Sequence, residues 1–413
     1  MEAAAVLDAL AKATDGHASV AGGDDRVDGV PARWVAAPGS TEEAADVLRV
    51  AAEHGLAVVA RGGGTKLGWG APPRRLDLLL DTRRLDRVVE HAAGDLVVVV
   101  QAGVPLATLA ARLAVAGQRL ALDEVVPGST VGGVVATGLA GPRRLLQGGV
   151  RDLILGATLV RADGVVTKSG GKVVKNVAGY DVAKLVCGSY GTLGLVTQAA
   201  FRLHPVAPAA AYVTVAAPDP AAVHAAVQSA LHAQFVPTAI EVDRPADGPA
   251  TVALLIEGTG AGVAGRTAQA VGALGPGAAS GPEPPAGWGR LPAGDVLVKA
   301  TTELAGLGRL LDGIALAATR AGLPAAVRGS AGAGVLYAGL PGDDPAAVAS
   351  FVDALRGAAP AWSGSVVLLA APPPVRAVVD GWGPVAGLAL MRRVKDQFDP
   401  DSRLAPGRFV GGI

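Results

Sequence analysis

Apolar residues recur along this chain with two different spacings. After Ser40, the positions Ala44, Val47, Leu48 and Ala51 return every three to four residues, which lines one face of a helix. Ser40-Thr41-Glu42-Glu43 opens that run with a hydroxyl followed three residues later by a carboxylate, so each side chain can satisfy an orphan amide at the helix start. The pattern predicts a helix that stops near His54-Gly55. The short continuous apolar run at 56–60 predicts a buried strand instead, and it leads straight into Arg61-Gly62-Gly63-Gly64-Thr65-Lys66-Leu67-Gly68-Trp69-Gly70. Further strand patterns fall at 76–80, 88–89 and 96–101, a helix at 105–116, and a long glycine-studded stretch at 127–149.

From Tyr212 the texture changes, and one pattern is run through twice. The first pass predicts a strand at 212–215, a helix at 220–231, strands near 238–242 and 251–257, and a helix near 267–274. The second predicts a strand at 295–300, a helix at 303–321, strands near 325–328 and 334–340, a helix at 345–356 and a strand at 365–369. Each pass resembles a strand–helix–strand–strand–helix unit of the ferredoxin-like kind, which makes the fold class α+β. A Gly/Pro-rich linker at 275–289 separates the passes, and a short helix with an Asp399-Pro400 and Pro406-Gly407-Arg408 tail closes the chain. We expect a first domain at 1–206 with an internal break near 75–85, a cap domain at 207–385, and a segment at 386–413 that returns to the first domain.

Charge narrows the functional classes. The 36 basic residues equal the 36 acidic ones, so no net field draws this chain toward nucleic acid or anionic lipid. No apolar run approaches the roughly 20 residues that span a bilayer. The acidic start Met1-Glu2 through Asp8 lacks a basic leader region, and the chain reads as intracellular and cytoplasmic. Cys187 is the single cysteine. That excludes an internal disulfide and a cysteine-ligated iron–sulfur cluster, so redox chemistry here needs an organic cofactor or a partner. The flanks Leu185-Val186 and Gly188 make Cys187 itself a buried small hydrophobe.

Three segments carry candidate chemistry. In Arg61–Gly70 the consecutive glycines let the backbone turn sharply and aim successive N–H groups at one point, a way to grip phosphate, with Arg61 and Lys66 adding charge. A plain glycine turn has the same composition, and neither the dinucleotide fingerprint nor the Walker pattern fits the spacing. In Pro127-Gly128-Ser129-Thr130-Val131-Gly132-Gly133 the small residues suit close approach to a large ligand, with hydroxyls at Ser129, Thr130 and Thr137. In Lys175-Asn176-Val177-Ala178-Gly179-Tyr180-Asp181, polar groups sit just before the Gly188–Gly194 loop, where a ligand edge would satisfy them.

With these segments in view, the chain resembles FAD-binding oxidoreductases of the vanillyl-alcohol oxidase type, which share the p-cresol methylhydroxylase fold. Within them it is most similar to the FAD-binding subunit of bacterial glycolate oxidase. The three segments, the Gly141-Pro142-Arg143-Arg144 to Asp152 stretch and the Phe398-Asp399-Pro400 to Arg408 tail carry the match. The resemblance implies a cofactor-binding set of Arg61, Gly62, Gly63, Gly64, Thr65, Lys66 and Trp69, then Pro127, Gly128, Ser129, Thr130, Val131, Gly132, Gly133 and Thr137. It adds Gly141, Arg144, Gly149, Arg151 and Asp152, then Lys175, Asn176, Gly179 and Tyr180, and finally Gly191, Gly194 and Val196. Many relatives tether the flavin through a histidine in the first loop. None lies between Arg61 and Gly70, so FAD is expected to bind non-covalently.

The resemblance further implies a fold of a p-cresol methylhydroxylase-type FAD-binding domain plus an α+β cap, and oxidation of glycolate or another small 2-hydroxy acid. Its implied partners are a second flavoprotein subunit and an iron–sulfur subunit, with attachment to the inner membrane only through them. Related hydroxy-acid dehydrogenases carry a late histidine-rich metal motif, but here no histidine lies beyond His232. His224 and His232, eight apart on one predicted helix, diverge, so no metal is expected. Arg328, Arg392 and Arg393 are the candidate cations for a substrate carboxylate and Tyr337 a candidate for a cap–flavin interface, although surface ion pairing or packing is the favoured reading of each. Two alternatives stay open: an autonomous flavin-dependent oxidase of another alcohol or hydroxy acid, and a non-catalytic assembly subunit.

Overall fold

The computed structural model describes residues 2–171 and 180–413. They divide into two compact units, residues 1–139, 149–205 and 384–413 in one and 140–148 with 206–383 in the other. The first begins with a helix (α1, Glu2–Ala13), then strands β1 (Ala18–Val20) and β2 (Trp34–Ala36). Helix α2 spans Thr41–Glu53, capped by the Ser40 hydroxyl on the Glu43 amide. Strands β3 (Val58–Arg61) and β4 (Leu78–Asp81) pair in parallel, and the order β1-β2-β4-β3 completes a four-stranded sheet. Leu78, Leu79 and Leu80 are all buried, the continuous apolar run that a two-sided parallel strand requires. One side packs on Val47 and Leu48 of α2 and on Val6 and Leu10 of α1.

A second sheet in this unit joins β5 (Val88–Ala92), β6 (Val97–Gln101), β7 (Ile154–Val160), β8 (Val166–Gly170) and β9 (Leu195–Arg202) in the order β8-β7-β9-β6-β5, antiparallel throughout. Between its strands lie α3 (Leu106–Ala114) and α4 (Val131–Thr137). Helix α4 occupies what the sequence shows only as glycine-rich chain. Thr130 caps it by accepting from the Gly133 amide at 3.3 Å, and Val131, Val134 and Val135 bury its inner face.

The second unit is one eight-stranded antiparallel sheet with helices packed on one face. The first pass contributes β10 (Ala209–Ala217), α5 (Pro220–His232), β11 (Ala239–Arg244), β12 (Ala250–Gly258), α6 (Gly260–Leu274) and β13 (Ala279–Gly281). The second contributes β14 (Val296–Thr301), α7 (Leu307–Ala321), β15 (Ala326–Ser330), β16 (Val335–Leu340), α8 (Pro345–Ala358) and β17 (Ser365–Ala370). The sheet order β13-β10-β12-β11-β15-β16-β14-β17 reads as each pass mirrored about the β11–β15 pair. The α+β class and the twofold pattern expected from sequence are both present. Several boundaries move: α6 starts at Gly260 because Thr259 caps it, the linker after it supplies the edge strand β13, β10 is longer than expected, and α7 starts at Leu307 rather than at 303.

Helix α9 (Leu388–Phe398) and the tail belong to the first unit. Lys395, 3% exposed, donates to Asp399 at 2.6 Å, to the Thr192 carbonyl at 2.8 Å and to the Leu404 carbonyl at 3.0 Å. Asp399 in turn accepts from the Arg403 and Leu404 amides. A buried pair satisfied this fully is costly to break from one side. Asp399→Asn is therefore expected to lower unfolding stability by about 2 kcal/mol, read as a shifted urea midpoint at unchanged slope.

Candidate functional site

Strand β3 delivers the chain to the glycine loop, and Arg61 at its end is already engaged. Its guanidinium donates to Asp25 at 2.8 Å and to Asp81 at 2.9 Å. Arg61 therefore fastens the loop's root rather than offering a free charge. A side chain on Gly62 or Gly63 would overlap the Thr130 hydroxyl or the Gly128 carbonyl oxygen, so these glycines let two backbone segments lie against each other. Gly64 then turns the chain at φ +75° with open space around it. Among the described residues the amides of Gly63, Gly64 and Thr65 donate to no protein acceptor.

Lys66 follows this turn and points inward, only 8% exposed. Its ammonium donates to the Ser129 hydroxyl at 2.6 Å and the Thr65 hydroxyl at 3.1 Å. Burial pulls its pKa down to about 8, against the opposing influence of Glu124. A desolvated cation held only by hydroxyls, beside three unpaired amides, is a site built for an anion.

The loop borders an empty space of about 510 Å³ walled by Gly62, Gly63, Gly64, Thr65, Lys66, Thr130, Gly133 and Thr137, together with Ala136, Tyr190 and Arg408. A second space of about 470 Å³ shares Ala60, Gly62, Gly133 and Ala136 with it and adds Gly132, Gly191, Gly194 and Val196. The two form one elongated cleft over α4, suited to a long cofactor. Arg408, 4% exposed, holds the far end of the loop by donating to the Leu67 carbonyl at 2.8 Å and the Trp69 carbonyl at 2.7 Å. Tyr190 stands at φ +56°, its ring 5.9 Å from Phe409.

Of the other residues expected at the site, some support the loop and others lie away from it. Trp69 is buried beside the loop and meets Arg408 through its carbonyl. Ser129 stands behind Lys66, while Pro127, Gly128 and Val131 shape the strand-to-helix passage that supports it. Gly149 and Asp152 close a turn on each other at 2.8 Å, and Arg151 is exposed. Gly141 and Arg144 fall in the second unit. The Tyr180 side chain is 95% exposed, and Lys175, Asn176 and Gly179 lie outside the described residues. Tyr190, Ala136 and Thr82 were not expected; Arg408 had a signal in the Pro406-Gly407-Arg408 tail, and Tyr190 in its glycine flanks.

Cys187 donates to the Ala183 carbonyl at 3.3 Å, and burial pushes its thiol up to about 12. The side chain is half-buried rather than fully buried as expected, and the raised pKa keeps it in the less nucleophilic thiol form. Among the described residues no histidine, cysteine and carboxylate group could hold a metal, and no helix is long and apolar enough to cross a membrane.

Residues 32–170 match the family model of the FAD binding domain, and residues 382–409 that of the C-terminal domain of FAD linked oxidases. Glycolate oxidase subunit GlcE of Escherichia coli strain K12 is 43% identical over 128 residues, 30% of this chain and 37% of that one. Glycolate oxidase subunit GlcD of Bacillus subtilis strain 168 is 36% identical over 172 residues, 41% of this chain and 37% of that one. D-lactate dehydrogenase of Archaeoglobus fulgidus is 36% identical over 171 residues, 41% and 38% of the two chains. This chain thus spans about two fifths of the length of these relatives.

Among solved structures, p-cresol methylhydroxylase with substrate bound superposes with a TM-score of 0.74 at 14% identity, covering 98% of this chain and 96% of that one. The 4-ethylphenol oxidase from Gulosibacter chungangensis gives 0.75 at 17% identity over the same shares. These likenesses show the fold: a p-cresol methylhydroxylase-type FAD-binding domain within an α+β chain. FAD is its cofactor, and the unpaired amides and buried ammonium at Gly63–Lys66 are donors of the kind that an anionic group accepts from.

Proposed function

We propose that this chain is the FAD-binding subunit of a glycolate oxidase or dehydrogenase complex, in which glycolate is oxidised to glyoxylate and the electrons pass through flavin to partner subunits. The observation that carries the reading is the Gly63–Lys66 anion cradle on the cleft; the likeness to GlcE supports the substrate class. Bound FAD supplies the two-electron acceptor. The protein's own part is to hold it: Lys66 and the loop amides neutralise the diphosphate, the Arg61 ion pairs keep the loop's root rigid, and Arg408 fixes its far end. No histidine or cysteine lines either half of the cleft among the described residues, which supports non-covalent binding.

A single cysteine cannot ligate an iron–sulfur cluster, so onward transfer falls to an iron–sulfur partner, beside a second flavoprotein subunit. The likeness to D-lactate dehydrogenase favours a second reading in which another 2-hydroxy acid is the substrate. Anaerobic visible spectra with glycolate and with D-lactate test both, on the chain alone and on the chain purified with its partners. Bleaching of the flavin bands by either acid supports the oxidoreductase reading and names the substrate. Flavin that stays oxidised with both acids in the assembled complex overturns it.

A further inference from the structure

Behind one wall of the cleft lies a further cavity, of different chemistry. It encloses about 690 Å³ between helix α9 and the segment 185–193, and Leu185, Leu193, Leu390, Met391, Val394 and Phe409 line it. All six belong to the first unit. The turn at Ser189-Tyr190 is the partition: Ser189 lines both this cavity and the cleft, while Tyr190 lines the cleft and holds its ring 5.9 Å from Phe409. The volume is that of a small-molecule site. Two of the three polar side chains on the wall are spent on the protein itself. The Thr192 hydroxyl donates to the Ser189 carbonyl at 2.7 Å and the Cys187 thiol to the Ala183 carbonyl at 3.3 Å. The part of a ligand that enters this cavity is therefore hydrocarbon.

The rim adds a cation to this apolar interior. On α9, Lys395 is committed to Asp399, and Arg392 donates to the Gly411 carbonyl at 3.3 Å. Arg393 is exposed, follows the lining residue Leu390 by one turn, and makes no hydrogen bond or ion pair among the described residues. Leu185 and Leu390 are themselves exposed in part, so apolar surface runs from the cavity out to that rim. We propose that this cavity binds a free acyl anion of medium chain length, its hydrocarbon chain inside and its carboxylate at Arg393. Removing the chain from water supplies most of the affinity, and the guanidinium fixes which end stays outside. A bilayer fits less well: α9 exposes only Arg392 and Arg393, set against an exposed Asp396, short of the roughly four to eight cations that hold a protein on anionic lipid. The site is independent of which acid the flavin oxidises.

Dodecanoate below its micelle concentration probes the site. Calorimetric titration of the FAD-loaded full chain, in which FAD occupies the Lys66 cradle, is expected to show one saturable dodecanoate site. Arg393→Glu should weaken dodecanoate about tenfold or more while keeping dodecanol within about threefold, and Leu390→Asp should weaken both about fivefold or more. Both positions are exposed, so flavin content is expected to stay unchanged. Absence of saturable dodecanoate binding, equal dodecanoate affinity in Arg393→Glu, or equal affinity for acetate would overturn the proposal. Sedimentation of the chain with phosphatidylglycerol vesicles, without binding of free dodecanoate, would overturn it in favour of a bilayer.

Discussion

Lys66→Met is expected to weaken FAD binding about 100-fold and, at the same time, to make the FAD-free chain more stable. Losing charge-assisted hydrogen bonds to the diphosphate removes about 3 kcal/mol of affinity, and 1.4 kcal/mol is tenfold. Without FAD the same ammonium is a liability. It is buried, it meets only the Ser129 and Thr65 hydroxyls, and its pKa falls from 10.5 to about 8, a penalty on the order of 3 kcal/mol. Methionine fills the same space without charge. The pH dependence follows from the proton count: between about 8 and 10.5 the unfolded lysine keeps a proton that the folded one has released. FAD-free stability should therefore rise across that window in the unsubstituted chain and not in Lys66→Met. FAD affinity should run the other way, falling above about pH 8 as Lys66 loses its charge. Flavin fluorescence titrations and urea melts across pH check both, and unchanged FAD affinity in Lys66→Met would refute the role of the ammonium.

Gly63→Ala is expected to abolish FAD retention and to cost about 3 kcal/mol or more of stability, whereas Gly64→Ala costs about 1 kcal/mol. The two neighbours differ in kind. A methyl on Gly63 collides with the Gly128 backbone carbonyl, and no rotamer change relieves a backbone clash, so the cradle must open. Gly64 has nothing within 4 Å and suffers only from its φ of +75°. Urea denaturation and flavin content of the two variants separate these mechanisms. Similar effects at both positions would show that the loop's turn, not its close backbone contact, decides its glycines.

Much of this architecture is written in local pattern. The Ser40 cap and the 3.6-residue spacing after it define α2, and the two strand–helix passes reappear as mirrored halves of one sheet. What stayed hidden depends on distant pairing. Nothing near Arg61 shows that Asp25 and Asp81, 36 and 20 residues away, consume its charge. Helix α4 was masked because Gly132 and Gly133 weaken helix propensity, while the Thr130 cap and the buried Val131, Val134 and Val135 override it. Arg144 looks in sequence like part of the cofactor loops, yet the Arg143–Glu257 pair and Leu145 commit it to the second unit. Lys66 was legible as a charge beside glycines; its burial on Ser129 was not.

We expect this chain to hold FAD without a covalent bond in the cleft beside Gly63–Lys66. Reconstituting the full chain with FAD, removing the excess by gel filtration, and then precipitating with acid tests it directly. The expected result is about one flavin per chain before precipitation and yellow supernatant over a colourless pellet afterwards. A chain that elutes without flavin, or a pellet that keeps the colour, would contradict it.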